Sequence, residues 1–360
     1  MMDSLNDCIV DYGRRDLRFR APARTSRDTL HEKPSWFIRV RDQAGREGWG
    51  ECSIIPGLSL DQASGIDAFF DRCVATRSLD LAKVPDDLPA VRFAIESALR
   101  SLASEEDLTY FPGAFRQGTA RIPMNGLIWM EEPDGMLRQA KRLVDAGFET
   151  LKMKVGALPF DQEYGWLREL REETGASTTL RCDANGAFSE EENGWPVMKK
   201  LEVLADLGFH SIEQPLRPSE RSQLAYLCAE SPLPIGLDES LIGVNGEDKV
   251  TLLNDIKPQF LILKPSLLGG FGRSQNWVDL AEERGINWWA TSALESNLGL
   301  YAIAQWVCDG VKTQWPLLPQ GLGTGGLFEN NVPGSMQIGL GELTNQAHSG
   351  TAWDALDSLI

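Results

Sequence analysis

The sequence is poor in the residues that build soft-metal sites. It has three histidines, at 31, 210 and 348, and its six cysteines are scattered at 8, 52, 73, 182, 228 and 308. No two cysteines form a CxxC pair, which argues against a zinc site or a thioredoxin-type motif. The thiols are expected to be free core fillers in a reducing compartment. A basic excess is also lacking. The formal charge is −17, so the cationic face that a nucleic-acid or anionic-membrane partner needs is not expected. No apolar run approaches the roughly 18 residues of a membrane-spanning helix. The opening stretch, MMDSLNDCIVDYGRR, carries acids and no apolar h-region, so it does not read as a signal peptide, and a cytoplasmic location is expected. Low-complexity stretches and long linkers are absent as well.

What is present is a 42% apolar chain of 360 residues, long enough for one large barrel plus a smaller domain. Up to about residue 115 the pattern is mixed. Residues 36–40 read as a strand, 48–51 as its turn-rich continuation, and 91–102 as a helix with apolar residues at helical spacing. Strands followed by a helix suggest a separate α+β unit. From about 121 onward, short strand-like runs alternate with helical stretches. Strands are predicted at 121–125, 150–155, 178–183, 211–213, 234–237, 259–264 and 287–291, with a weaker one near 313–317. Helices are predicted at 135–146, 161–173, 191–207, 221–230 and 273–284, among others. Eight such units in a row point to a closed (β/α)₈-type barrel, a modified TIM barrel, rather than an open doubly wound sheet.

Polar residues then fall into a pattern. Lys154, Asp183, Glu213, Asp238, Lys264 and Ser292 each lie at or just past the C-terminal end of a predicted strand, at separations of 29, 30, 25, 26 and 28 residues. Each separation is about one βα unit, so the six share one height at the barrel face that carries active sites. Asp183, Glu213 and Asp238 end mostly apolar strands. Each acid alone could sit in a salt bridge or cap the helix that follows. Three on neighbouring strands repel one another unless a cation offsets their charge. All-oxygen ligation without a nearby His or Cys suits Mg²⁺, with Mn²⁺ as a substitute.

Lys152 and Lys154 share one face of their strand, opposite Leu151, Met153 and Val155, and are predicted to face the lumen. Two ammonium groups close together and near a metal should each lose proton affinity, and a lysine so lowered is a usable general base. Lys264 ends the apolar run 260–263. It lies four strands on from Lys154 and so faces it across the lumen, with the three acids between. A carboxylate substrate bound there has a lysine on each side, the arrangement that proton abstraction α to a carboxylate needs.

The motifs KMK (152–154), DAN (183–185), EQP (213–215), DES (238–240) and LKPS (263–266), at these spacings, resemble the enolase superfamily in its muconate-cycloisomerase-like subgroup. That resemblance implies a Lys base working with Mg²⁺. It also implies a capping domain over residues 1–115, a barrel over 116–325, and a tail, about 326–360, that returns to the cap. The segment WGECSIIPGLS (49–59) matches a substrate-covering loop of the family.

Within the subgroup, 291–300 (TSALESNLGL), 125–129 (NGLIW) and 321–325 (GLGTG) look most like the o-succinylbenzoate synthases. Those enzymes dehydrate a cyclohexadiene carboxylate to the aromatic succinylbenzoate of menaquinone synthesis. The resemblance implies Lys154 as the base and Lys264 as a cation over the opposite ring face. It implies substrate contacts from Arg181, Asn185, Ser292 and the backbone near Thr324, with Lys152 close by and Glu239 behind the first layer. The rivals are N-acylamino acid racemase or dipeptide epimerase chemistry, and a barrel that only binds. Against an epimerase, 318–323 holds no acid to meet a substrate ammonium. Against mandelate-racemase chemistry, no His lies near strand 7. The pattern Gly321-x-Gly323-x-x-Gly326 formally fits a dinucleotide loop, but only 34 residues follow it, so it reads as a substrate-side turn. Trp288 and Trp289 read as core packing. A small carboxylate is the expected partner, and monomer and homo-oligomer stay equally open.

Overall fold

A computed structural model describes residues 2–24, 29–188, 191–192, 194–346, 353 and 355–360; His348 lies outside them. The chain begins with strands β1 (Ser4–Asn6), β2 (Ile9–Arg24), β3 (Thr29–Arg41) and β4 (Glu47–Ser53). Helix α1 (Ala63–Thr76), β5 (Ser78–Asp80) and helix α2 (Pro89–Ala103) follow. β2, β3 and β4 form an antiparallel meander, and β1 pairs with β5. Alternation along β3 puts Trp36, Ile38 and Val40 in a cluster with α1 and α2, while Phe37 packs toward the barrel core. Residues 48–51, expected as a turn-rich stretch, are strand. Their glycines are there because α2 lies on β4: a Cβ on Gly48 would meet Ala98 O at 2.1 Å, and one on Gly50 would meet Ala94 O at 2.0 Å.

The second part runs β6 (Arg121–Pro123), β7 (Asn125–Ile128), α3 (Pro133–Asp145), β8 (Thr150–Lys154), α4 (Phe160–Thr174) and β9 (Thr179–Asp183). A small hairpin, β10 (Glu191–Glu192) and β11 (Trp195–Pro196), precedes α5 (Val197–Asp206). Then come β12 (Phe209–Glu213), α6 (Arg221–Glu230), β13 (Ile235–Leu237), α7 (Glu247–Ile256) and β14 (Phe260–Leu263). Helices α8 (Pro265–Leu268) and α9 (Phe271–Glu282), β15 (Asn287–Ala290) and α10 (Asn297–Gln305) complete the alternation. Strands β16 (Met336–Gly339) and β17 (Glu342–Asn345) end it.

Seven strands form one parallel sheet in the order β7-β8-β9-β12-β13-β14-β15. Two residues close it. Gln320 bridges Met124 and Gly321 bridges Thr291, both parallel, at the position of an eighth strand. The eighth strand expected at 313–317 is therefore displaced. Thr313 and Gln314 instead bond Glu282 at the end of α9, and Pro316 and Pro319 lack the N–H a ladder requires. Gly321 is required at the closure, because a Cβ there would lie 2.3 Å from Thr291 Oγ1.

The first expected strand, 121–125, is also divided. β6 joins β17 and β16 in an antiparallel sheet, and only β7 enters the barrel. The helix expected over 191–207 starts at Val197, after the hairpin. The tail touches the N-terminal sheet, with Phe328 bridging Phe19 and Asp357 paired to Arg39 at 2.8 Å.

Candidate active site

Register sets the height of the charged residues. Lys154 pairs with Asp183 across β8 and β9, and Asp183 with Glu213 across β9 and β12. Asp238 directly follows β13, and Lys264 directly follows β14. All three acids are buried, and their nearest ligand oxygens lie within 4.8 Å of one another. Lys152 Nζ bonds Glu213 and lies 3.1 Å from Asp183 Oδ2. Lys264 Nζ bonds Asp238. Lys154 Nζ bonds Asn185 Oδ1 and stands 3.9 Å from Asp183 Oδ2. Asn185 in turn donates to Glu239 Oε1 at 3.0 Å.

The lysines differ in electrostatics. Burial lowers Lys154, Lys152 and Lys264 push the same way, and Asp183 and Glu239 do not restore it. For Lys152 burial also acts downward, but Asp183, Glu213 and Asp238 outweigh it and hold it above the ordinary lysine value. Lys154 is thus lowered as expected, whereas Lys152, expected to lose proton affinity beside a bound cation, is held up by three carboxylates whose charge no cation offsets. Lys264 is likewise held up, by Asp238 and Glu239 against burial. Burial raises Asp183, but Lys152, Lys154 and Lys264 together bring it below the usual range. Burial, with Asp183 and Asp238 adding to it, holds Glu213 above that range in spite of Lys152.

One pocket opens onto this group. Its polar wall includes Lys152, Lys154, Asp183, Asn185, Glu239 and Lys264, with Ser292 and Thr324 from the far side. Its apolar wall comes from Leu30, Ile55, Pro56 and Leu58 of the N-terminal part and from Leu127, Trp129 and Leu294. Gly321 and Gly323 also line it, which is where the turn of that glycine pattern falls.

Arg181 does not line the pocket. It is buried lower in the lumen, its guanidinium 3.9 Å from the Trp289 ring centroid and its Nη1 donating to Pro319 O at 2.8 Å. Side chains two residues apart share a strand face, so Arg181 lies one layer beneath Asp183. Trp288 packs beside Trp306, at 6.3 Å between ring centroids, and both tryptophans are core.

Sequence reasoning did not single out Gln214. Its Oε1 accepts from Asp238 N at 3.2 Å and Ser240 N at 3.1 Å, and its Nε2 donates to Ser240 Oγ at 2.8 Å. It braces the turn that carries Asp238 and Glu239. The signal in the sequence was its place in the EQP motif, directly after Glu213; the structure buries it at a φ of 39°.

The cluster fits a divalent cation. Glu213 Oε1 is fully buried without a hydrogen-bond partner, and the surrounding donors are oxygen atoms. The chain belongs to the enolase superfamily: the family model for the enolase C-terminal domain-like fold matches residues 135–320. It is 43% identical to o-succinylbenzoate synthase of Desulfotalea psychrophila, over 91% of this chain and 96% of that protein. The crystal structure of MenC from the same organism superposes with a TM-score of 0.82 at 40% identity, covering 94% of this chain and 99% of that one. L-Ala-D/L-Glu epimerase of Bacillus subtilis is a more distant relative, 25% identical over 80% of this chain and 81% of its own.

Proposed function

We propose that this chain is a Mg²⁺-dependent o-succinylbenzoate synthase, a hydro-lyase that dehydrates 2-succinyl-6-hydroxy-2,4-cyclohexadiene-1-carboxylate in menaquinone biosynthesis. The observation that carries the reading is one pocket lined by Lys154, Lys264 and Asp183, with the buried acids Glu213 and Asp238 within 4.8 Å of Asp183 and of each other. The 43% identity to a synthase over 91% of the chain supports the choice of reaction.

Asp183, Glu213 and Asp238 would hold the ion, which offsets the negative charge that develops on the substrate carboxylate. Lys154 takes the proton from the carbon α to that carboxylate onto its Nζ. The ring C–O bond then breaks, and Lys154 returns the proton to the departing hydroxide, giving water. Lys264 stays an ammonium over the opposite ring face. Asn185 holds Lys154, Glu239 holds Asn185, and Lys152 fixes Asp183 and Glu213. Ser292 and Thr324 meet the rest of the substrate, and Leu30, Ile55 and Leu58 cover it. On this reading residues 1–115 cap a barrel of 116–325, and the tail 326–360 ties back to the cap. The six free thiols fit a reducing, cytoplasmic setting.

Purified protein supplied with Mg²⁺ and the cyclohexadiene substrate is expected to produce aromatic absorbance. Folded, metal-loaded protein that gives none overturns the reading. No acid stands among pocket residues Gly321, Gly323 and Thr324, which disfavours an epimerase that must meet a substrate ammonium. Deuterium exchange at the α-carbon of N-acylamino acids, in place of dehydration, would put racemisation first.

A further inference from the structure

The N-terminal sheet reaches the pocket by a second route besides its covering loop. Glu51, in β4, is fully buried. Its Oε1 accepts from Ser296 N at 2.9 Å, and its Oε2 accepts from Ser296 Oγ at 2.5 Å and Gly299 N at 3.0 Å. Those groups form the first turn of α10, whose N-terminal N–H groups have no partner inside the helix. Glu51 thus caps a barrel helix from a strand 245 positions away in the chain. Gly299 is shaped for it: a Cβ there would lie 2.9 Å from Glu51 Oε2.

The next residue carries the connection inward. Glu295 is fully buried and accepts from Ser266 Oγ at 2.5 Å, Ser292 Oγ at 2.6 Å and Ala293 N at 2.8 Å. Thr324 Oγ1 donates to Ser292 Oγ at 2.7 Å. Ser292 and Thr324 line the pocket. The path from β4 to the pocket wall runs through hydrogen bonds between buried groups and the one peptide bond that joins Glu295 to Ser296, and such networks are stiff and expensive to lose in part.

We propose that Glu51 is a positioning residue for the substrate site: by capping α10 across the boundary it fixes residues 291–296, and through Glu295 it sets Ser292 and Thr324. This rests on the reading that their cavity binds the substrate. The acids Asp183 and Glu213 stand on β9 and β12 and Asp238 directly after β13, outside the path. The β4 anchor is therefore a fixed point of the covering layer.

A comparison residue exists in the same layer. Glu96 of α2 also caps a barrel helix, accepting from Phe271 N at 2.8 Å and Gly272 N at 3.2 Å at the start of α9, but it does not line the pocket or join this chain of bonds. The test is Glu51→Gln beside Glu96→Gln. Both should melt earlier. Only Glu51→Gln should raise KM, by about tenfold, the factor one lost charge-assisted hydrogen bond corresponds to, with kcat nearly unchanged and Mg²⁺ affinity unaltered. Glu51→Gln combined with Ser292→Ala should cost no more in kcat/KM than the worse single change. Amide exchange across 291–300 should quicken in Glu51→Gln and not in Glu96→Gln.

If Glu51→Gln does not fold, Gly299→Ala presses on the same carboxylate and should give the same KM rise and the same quickened exchange. Additive effects in the double variant, or unchanged exchange at 291–300, overturn the proposal. A wild-type chain without dehydratase activity overturns the proposed reaction instead, and the exchange result still decides the role of Glu51.

Discussion

Buried carboxylates occur in two regions of this molecule, with opposite fates. In the N-terminal layer, Glu51, Asp61 and Glu96 each direct their oxygens at the backbone N–H groups that open a helix. At the barrel mouth, Asp183, Glu213 and Asp238 face one another and the ammonium groups of Lys152 and Lys264. Asp238 opens a short helical turn without capping it, and Glu213 keeps one oxygen without a partner. A buried acid whose oxygens are all satisfied by backbone is a structural element. A buried acid set against like charges and left with unused lone pairs is built for a ligand or a reaction.

The sharpest way to test that contrast is at the mouth. Lys154→Ala is expected to lower turnover by at least about 10²–10⁴-fold, the contribution of a positioned proton-transfer group, while the melting temperature stays close to wild type. Surviving turnover in a steady-state assay would remove Lys154 as the base. Asp238→Asn should weaken Mg²⁺ binding by more than about tenfold, since even residues that only support metal ligands commonly contribute that much. Unchanged affinity by calorimetry would make Asp238 an acid of the structural kind.

In the N-terminal layer the expected effects are smaller and fall on stability. Glu96→Ala should cost about 1–2 kcal/mol in chemical denaturation, the usual range for a lost cap, and leave Mg²⁺ affinity alone. The other effect in this layer is pH-dependent. Burial pushes Asp61 from 3.8 up to about 6, against the N–H groups of Ala90 and Val91. The native state therefore binds a proton more readily than the unfolded chain, so Asp61 lowers stability as pH rises from about 4 to about 6. Asp61→Asn should flatten that part of the stability profile. A profile identical to wild type would contradict this.

The mouth was the more legible region in the sequence. A charged residue ending an apolar strand is conspicuous, and its recurrence once per βα unit gives both fold and height. The two lysines of β8 followed from the period of two along a strand. What was hidden depended on partners far away. Residues 121–125 read as one strand, but β6 turns away to meet β17 more than 200 residues later. The barrel closes through two residues at 320–321, too few to leave a periodic trace.

Arg181 shows a different limit. The family resemblance implied substrate contact, but position along the strand places it one layer below Asp183, against Trp289. Glu51 was visible only as part of a covering loop, because nothing local reveals that a strand acid caps a helix 245 positions on. The charge set around Lys152 was hidden as well, because it is known only once β9, β12 and β13 are in place.

The central claim is that Asp183, Glu213 and Asp238 form one metal site rather than three structural acids. Calorimetric titration of the metal-free protein with Mg²⁺ tests it most directly. The account predicts saturable binding of one ion per chain, a melting temperature that climbs with Mg²⁺ concentration, and loss of both in Asp183→Asn. Folded protein that binds no Mg²⁺, or binds it equally well without Asp183, would contradict it.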